Sequence, residues 1–326
     1  MNSSEGKKCS TGFTTTPTST KAGHKVSKPP LLIVILGPTA SGKTGAAIRL
    51  AEHYNTEIVS ADSRQVFKEL RIGSAMPEPH ELEAVKHHMV AVRSVQQDYN
   101  VSLYENEALA CIREIFSIRS NAILCGGSGL YIDAVCNGIS LLPDPDPALR
   151  EELRRRLRED GADSLLFELK RLDPEYYGQC DLKNPVRVIR ALEVCISSGK
   201  PYSLLRKMKP GPREFRCLKI GILRNIRDLD LRIRERTHAM MAAGWLEEAR
   251  ALLPFRHVTA LNTVGYKELF SYFDQEFTLD EAIEKIITNT RRYAKRQMTW
   301  FRKDADIHWV DEGDPEEIRK LINNNI

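Results

Sequence analysis

Eight consecutive residues carry the plainest chemistry in the chain: Gly37, Pro38, Thr39, Ala40, Ser41, Gly42, Lys43 and Thr44. They fit G-x-x-x-x-G-K-[S/T], with the apolar run Leu31–Leu36 before them and helically spaced Ala46, Ala47, Ile48, Leu50 and Ala51 after. Glycines let backbone N–H groups turn toward a polyphosphate, and the helix N-terminus adds its partial positive charge. Lys43 supplies a point charge to the terminal phosphates, and the Thr44 hydroxyl is placed to ligate Mg2+. The motif is shared by nucleotide-binding and ATP-binding enzymes and names no reaction. A motor-type NTPase needs a strand ending in an acid to hold the metal's water. Here the strand Ala122–Cys125 runs into Gly126, Gly127 and Ser128 instead. A small-molecule kinase or another transfer from a diphosphate remains.

A carboxylate stands at the same edge. Asp62 lies 19 residues after Lys43, where a strand near Glu57–Ser60 ends in Ser60-Ala61-Asp62-Ser63-Arg64-Gln65. It can take a proton from an attacking nucleophile. It reads equally well as the cap of the next helix.

The elements that must position these groups alternate strand and helix. A helix over roughly Leu103–Ile118 separates the second and third strands, and Cys217–Leu223 and His308–Val310 read as further strands. This predicts an α/β fold, a P-loop NTPase-like parallel sheet flanked by helices. From 148 to about 205 the pattern is wholly helical, with Leu149, Leu153 and Leu157 four residues apart. The expected organisation is a disordered tail over 1–30, a catalytic core over 31–137 and 206–326, and a helical insertion domain over 138–205. Helices fill most of 226–303.

Composition narrows the class. The chain has 326 residues, 42% hydrophobic and 28% charged, which excludes collagen-like and wholly disordered proteins. No apolar run reaches the ~18 residues of a membrane span. Net charge is +4, and the first 30 residues, with five lysines and Glu5, account for all of it. That tail is Ser/Thr-rich without an apolar core, so it is not a secretory signal, and an organellar address is only weakly suggested. Seven cysteines without a C-x-x-C pair point to reduced thiols, no disulfide and no structural zinc. The neutral body holds one basic stripe: Lys285–Lys303 carries seven basic residues and no acid. On a helix Arg291, Lys295 and Arg302 share one face, suited to phosphates, while Ile286, Tyr293, Gln297 and Trp300 share another, suited to the core.

Six segments in order make the chain resemble the tRNA dimethylallyltransferase (tRNA isopentenyltransferase) family: GPTASGKT (37–44), SADSRQVFKELRIGSA (60–75), GGSGLY (126–131), RVIRALEV (187–194), TVGYKEL (263–269) and TRRYAKRQMTWFRK (290–303). The resemblance implies transfer of a dimethylallyl group from its diphosphate to N6 of the adenosine beside the anticodon. The phosphate loop then holds dimethylallyl diphosphate with Mg2+ on Thr44, and Asp62 orients the amine and takes its proton. Ser128, where the family usually has Thr, supplies a hydroxyl near the reacting adenosine. Arg232 and Arg236 match a basic pair on the diphosphate, though they read equally as a solvated helix face. The resemblance further implies contact with the tRNA anticodon stem-loop by Asp62, Ser63, Arg64, Gln65, Ser128, Arg150, Arg187, Arg190, Gly265, Tyr266, Lys267, Arg291, Lys295, Arg296, Gln297 and Arg302. Val186 replaces the family's usual Gln, which puts one tRNA contact in doubt. The absence of ligands for a C-terminal zinc finger suits the bacterial form. A cytoplasmic monomer is expected. The alternatives are an adenylate isopentenyltransferase acting on free nucleotide, a P-loop small-molecule kinase, and a nucleic-acid-binding module that leaves the phosphate loop unexplained.

Overall fold

A computed structural model describes residues 28–139, 142–143, 146–208, 211–311 and 314–326. The tail reading and Cys9 fall almost wholly outside the described residues. Among the described residues six strands form one sheet: β1 (Leu31–Leu36), β2 (Ile58–Ser60), β3 (His87–His88), β4 (Asn121–Gly126), β5 (Arg216–Leu223) and β6 (Ile307–Asp311). Their order is β3-β2-β4-β1-β5-β6, and every pairing is parallel. Parallel neighbours need crossovers, and the crossovers cover both faces. The helices in chain order are α1 (Lys43–Tyr54), α2 (Pro79–Ala84), α3 (Val101–Ile118), α4 (Gly129–Asn137), α5 (Pro147–Glu159), α6 (Ala162–Leu172), α7 (Pro174–Gln179), α8 (Pro185–Ser198), α9 (Tyr202–Lys207), α10 (Ile226–Ala242), α11 (Trp245–Leu252), α12 (Tyr266–Phe273), α13 (Leu279–Phe301) and α14 (Pro315–Asn323).

β1 is buried along its whole length, as a continuous apolar run in mid-sheet requires. Leu32, Val34 and Leu36 face a core built with α3, α4, α11, α12 and α13, while Leu31, Ile33 and Ile35 face α1 and α14. α10 lies on α13 through Ile233, Ile287 and Ala294. Because β2, β4 and β1 are adjacent, the phosphate loop, the Asp62 turn and the Gly127–Ser128 turn leave the sheet from the same carboxyl edge. That edge is where open parallel sheets place ligands. The sequence reading lacked β3, which has two residues and gives no periodicity to detect.

Helices α5 to α8 surround a cluster of their own: Leu153, Leu165, Leu169, Tyr176, Val188, Ile189, Ala191 and Leu192. Asp173, 1% exposed, joins two of the shorter helices. It accepts from Tyr176 N at 2.9 Å, capping α7, and from Ser203 N at 2.6 Å, tying in α9. Glu193 on α8 is fully buried and is met at 2.8 Å by both Arg150 and Arg190. Arg190 also donates to Pro143 O at 2.9 Å. Glu193→Ala removes the anion and leaves two cations against this core. Because the arginines keep part of their hydration, the expected loss is about 2–3 kcal/mol, below that of a wholly buried pair. The measurement is the urea midpoint by circular dichroism. A shift worth less than about 0.5 kcal/mol would show that solvent already screens the pair.

Candidate active site

The phosphate loop links β1 to α1 in a strained turn. Gly42 has φ +93° and Ala40 φ +63°, both left-handed. Glycine adopts that conformation freely, whereas at Ala40 it is uncommon and costs energy. Ser41 N donates to Pro38 O at 3.3 Å to close the turn. Lys43 folds back over the loop, its Nζ donating to Pro38 O at 3.2 Å. Burial lowers the pKa of this ammonium below the ordinary lysine value; Cys125 and Asp62 oppose the shift, and Arg236 adds to it.

Three arginines reach the loop from beyond β5. Arg232 Nε donates to Ala40 O at 3.0 Å and Arg224 Nε to Ser41 O at 3.3 Å, while Arg236 donates to Thr39 Oγ1. Arg232 and Arg236 are four residues apart on α10, so one helix face delivers both. Desolvation lowers the Arg236 pKa, with the Asp62 charge opposing. Both arginines touch the loop, Arg236 from a part-buried position and Arg232 while still exposed. Arg224 was missed, since a lone arginine after a strand carries no motif.

Asp62 follows β2, and its Oδ1 accepts from Arg64 N at 2.8 Å and Gln65 N at 3.4 Å. The capping reading is thus realised in a turn rather than a helix. Asp62 also lines the same cavity as Thr39, Lys43, Thr44 and Arg236, so capping and chemistry do not compete. Ser128 is not in that lining; its Oγ accepts from Ser63 N at 2.9 Å and braces the Asp62 turn. Gln65 lines the cavity, accepting from Ser60 Oγ at 3.0 Å and donating to Ala75 O at 2.9 Å. Arg64 turns away and donates to Ala260 O at 2.8 Å.

Tyr293 on α13 also lines the cavity, and sequence reasoning placed it only on a core face. Burial, then the Asp62 charge, pushes its hydroxyl up to about 12, so it stays protonated; Ser128 hydrogen-bonds it. Its signal was its place four residues before Gln297 on that face. Gln297, expected as an RNA contact, lines the same cavity and also braces it from within. It is buried, its Oε1 accepts from Thr39 N at 2.8 Å, and its Nε2 donates to Gly127 O at 2.9 Å. Both ends of the amide are used inside the protein.

The remaining expected RNA contacts divide by burial. Lys295, Arg296, Arg302, Lys267 and Arg187 are exposed. Arg291 differs from its helical neighbours: it is half-buried and paired with Asp230 on α10 at 2.6 Å. Arg150 and Arg190 are committed to Glu193. Tyr266 is 1% exposed with its hydroxyl on Glu248, and Gly265 is buried, so neither offers a side chain to RNA. Trp300, expected in the core, is 42% exposed and donates from Nε1 to Asp133 at 2.9 Å.

Comparison with known proteins agrees with this arrangement. Residues 65–304 match the family described as IPP transferase. The chain is 47% identical over 294 residues to tRNA dimethylallyltransferase 1 of Phocaeicola vulgatus, covering 90% of this chain and 98% of the relative. It is 48% identical over 280 residues to tRNA dimethylallyltransferase of Christiangramia forsetii, covering 86% and 93%. Among solved structures it is similar to the tRNA isopentenylpyrophosphate transferase of Bacillus halodurans, at a TM-score of 0.66 and 33% identity over 91% of this chain and 95% of that one. A phosphate loop and a strand-end aspartate in one cavity, with these likenesses across nearly the whole length, lead to one conclusion: the chain belongs to the IPP transferase family.

Proposed function

We propose that the protein transfers a dimethylallyl group from dimethylallyl diphosphate to N6 of the adenosine beside a tRNA anticodon. The observation that carries this is the shared cavity of Lys43, Thr44 and Asp62: cations and loop amides at one end, a carboxylate at the other. The allylic C–O bond breaks with its electron pair leaving on the diphosphate, where Lys43, Arg232, Arg236 and the backbone of residues 37–44 face the growing charge. The N6 lone pair forms the new C–N bond, and the proton it sheds passes to Asp62. Thr44 lines the cavity with Lys43, and its hydroxyl is a donor type that fits Mg2+, which binds through few protein ligands and keeps water and phosphate oxygens. When bound, the ion neutralises charge on the departing diphosphate. Ser128 serves by bracing the Asp62 turn.

The adenosine must leave its stack to enter the cavity, at a cost of a few kcal/mol, so the anticodon arm needs holding. Lys295, Arg296 and Arg302 on α13, with Lys267 and Arg187, are the exposed cations proposed for the backbone. The helical insertion over 138–205 is proposed as a second tRNA-facing unit, with Arg150 and Arg190 setting its shape. The tRNA names of relatives matched over most of their length favour tRNA over free nucleotide or a kinase substrate. The reading is of a cytoplasmic enzyme working as a single chain. Among the described residues no helix is long and apolar enough to cross a membrane.

Nucleoside mass spectrometry of unmodified tRNA incubated with protein, Mg2+ and dimethylallyl diphosphate should show N6-isopentenyladenosine. Asp62→Asn keeps the turn's acceptor but loses basicity, and should slow transfer about a hundredfold or more at unchanged donor affinity. Turnover near that of the parent would leave Asp62 as a turn cap alone.

Lys43 must be charged to receive the donor, and burial lowers its pKa. Donor kcat/KM, which reports the free enzyme, should therefore fall as pH rises through a value below the ordinary lysine value of 10.5. In Lys43→Arg that alkaline limb should move up. A limb at the same pH in both proteins would assign it to another group.

Neutralising Lys295 and Arg302 together should lower the salt slope of tRNA binding by roughly 0.7–0.9 per lost phosphate contact. Donor affinity should stay unchanged. An unaltered slope would make this face a solvated surface.

A further inference from the structure

One wall of the cavity is held from outside the site. Residues Ser74, Ala75 and Pro77 line the cavity together with Ala47 and Ile58 and with Thr39, Lys43 and Thr44 of the phosphate loop. The backbone just before them is gripped by one carboxylate on α11. Glu248 Oε2 accepts from Ile72 N at 2.8 Å and its Oε1 from Gly73 N at 2.9 Å. Tyr266 on α12 donates its hydroxyl to the same Oε1 at 2.6 Å. A carboxylate taking two backbone N–H groups and a phenol is a strong, directional anchor. The fit around it is close: a Cβ on Gly73 would lie 2.3 Å from both Trp245 Nε1 and the Tyr266 hydroxyl. Gly73 is therefore required for close approach. At the far end of the segment, Ala75 is held left-handed at φ +48° and its carbonyl accepts from Gln65. Residues 72–75 are thus pinned at both ends, once to the helical layer and once to the Asp62 turn.

We propose that Glu248 is a positioning residue for the allyl donor: its carboxylate fixes residues 72–77 as the wall against which the donor's C5 chain packs. The inference deepens the donor reading above and rests on it. It also gives the TVGYKEL segment a task its buried tyrosine can perform. Tyr266 reaches the chemistry through Glu248 and the loop, and not through RNA.

Glu248→Gln conserves volume but turns one acceptor into an NH2 group facing a backbone N–H. The test compares binding of two probes, dimethylallyl diphosphate and inorganic diphosphate, to the full chain with Mg2+. Inorganic diphosphate uses only the phosphate loop, so its affinity should be unchanged. Dimethylallyl diphosphate should bind about tenfold more weakly, and its KM should rise as much, with kcat within about twofold. Amide exchange at Ile72 and Gly73 should accelerate, while exchange in β1 and β4 stays as in the parent. Tyr266→Phe, which keeps both backbone bonds, should show the same pattern more weakly. Equal weakening of both probes, or unchanged dimethylallyl diphosphate affinity, would overturn the proposal. So would a loss of tRNA affinity with donor binding intact. If the parent protein bound inorganic diphosphate but neither bound nor transferred from dimethylallyl diphosphate, the donor reading itself would fall. Faster exchange at Ile72 and Gly73 in the variant would then still register the clamp as structural only.

Discussion

The spacing between the two ends of the cavity depends on one buried amide. Gln297 joins Thr39 of the phosphate loop to Gly127 at the end of β4. Gly127 is followed by Ser128, which holds Ser63, and Ser63 adjoins Asp62. A short relay of hydrogen bonds therefore runs from the phosphate loop to the turn that carries Asp62, the two ends proposed to face leaving group and nucleophile. Group transfer needs the reacting atoms near 3–3.5 Å and in line, and an ångström of slack costs rate heavily. The amide suits the task because it offers a donor and an acceptor on one rigid plane. Gly127 leaves room for it: a Cβ there would lie 2.3 Å from Gln297 Nε2.

Around this brace the charges are arranged for a ligand more than for the empty fold. Lys43 and Arg236 are both depressed by desolvation, and each also feels another cation. Asp62 offsets part of that, yet cannot neutralise several cations alone. In the proposed reaction, a diphosphate at the loop supplies the missing negative charge and relieves the repulsion. The strain at Ala40 belongs to the same design, since a left-handed residue there completes the turn that aims amides at the ligand. Stability is given up locally at the place where binding restores it.

How much was legible in the sequence follows from range. The phosphate loop, its flanking strand and helix, and Asp62 at the next strand end are local patterns, and all three lie where spacing predicts. β1 and β5 were legible because buried parallel strands are continuous apolar runs. β3 was not, because two residues paired only to Ile58 and Val59 carry no period. Helical spacing put Tyr293 and Gln297 on an inward face, but no helical wheel says what that face meets. Gln297 bonds across 258 residues to Thr39, a relation created by the fold alone. The same limit applies to charge: the basic stripe is real, yet Arg291 is taken by Asp230, 61 residues earlier in number and adjacent in space.

The segments that carry the family resemblance thus mix two kinds of residue. Some face the cavity or solvent, as Lys43, Asp62 and Lys295 do. Others act through what they hold: Tyr266 lies outside the cavity with its hydroxyl on Glu248, and Gln297, though it lines the cavity, spends one acceptor and one donor on Thr39 and Gly127. Both kinds are constrained tightly, the first by chemistry and the second by hydrogen bonds of 2.6–2.9 Å with no room for a different side chain. A motif alone cannot separate them, because either constraint fixes residue type. Burial separates them: a side chain 1% exposed with its polar atom already bonded has nothing left to offer RNA, whereas an exposed lysine on an acid-free face has little else to do. Affinity for a polyanion must therefore come from the exposed residues. The accuracy with which the donor meets the nucleophile is set by the buried ones that hold the backbone.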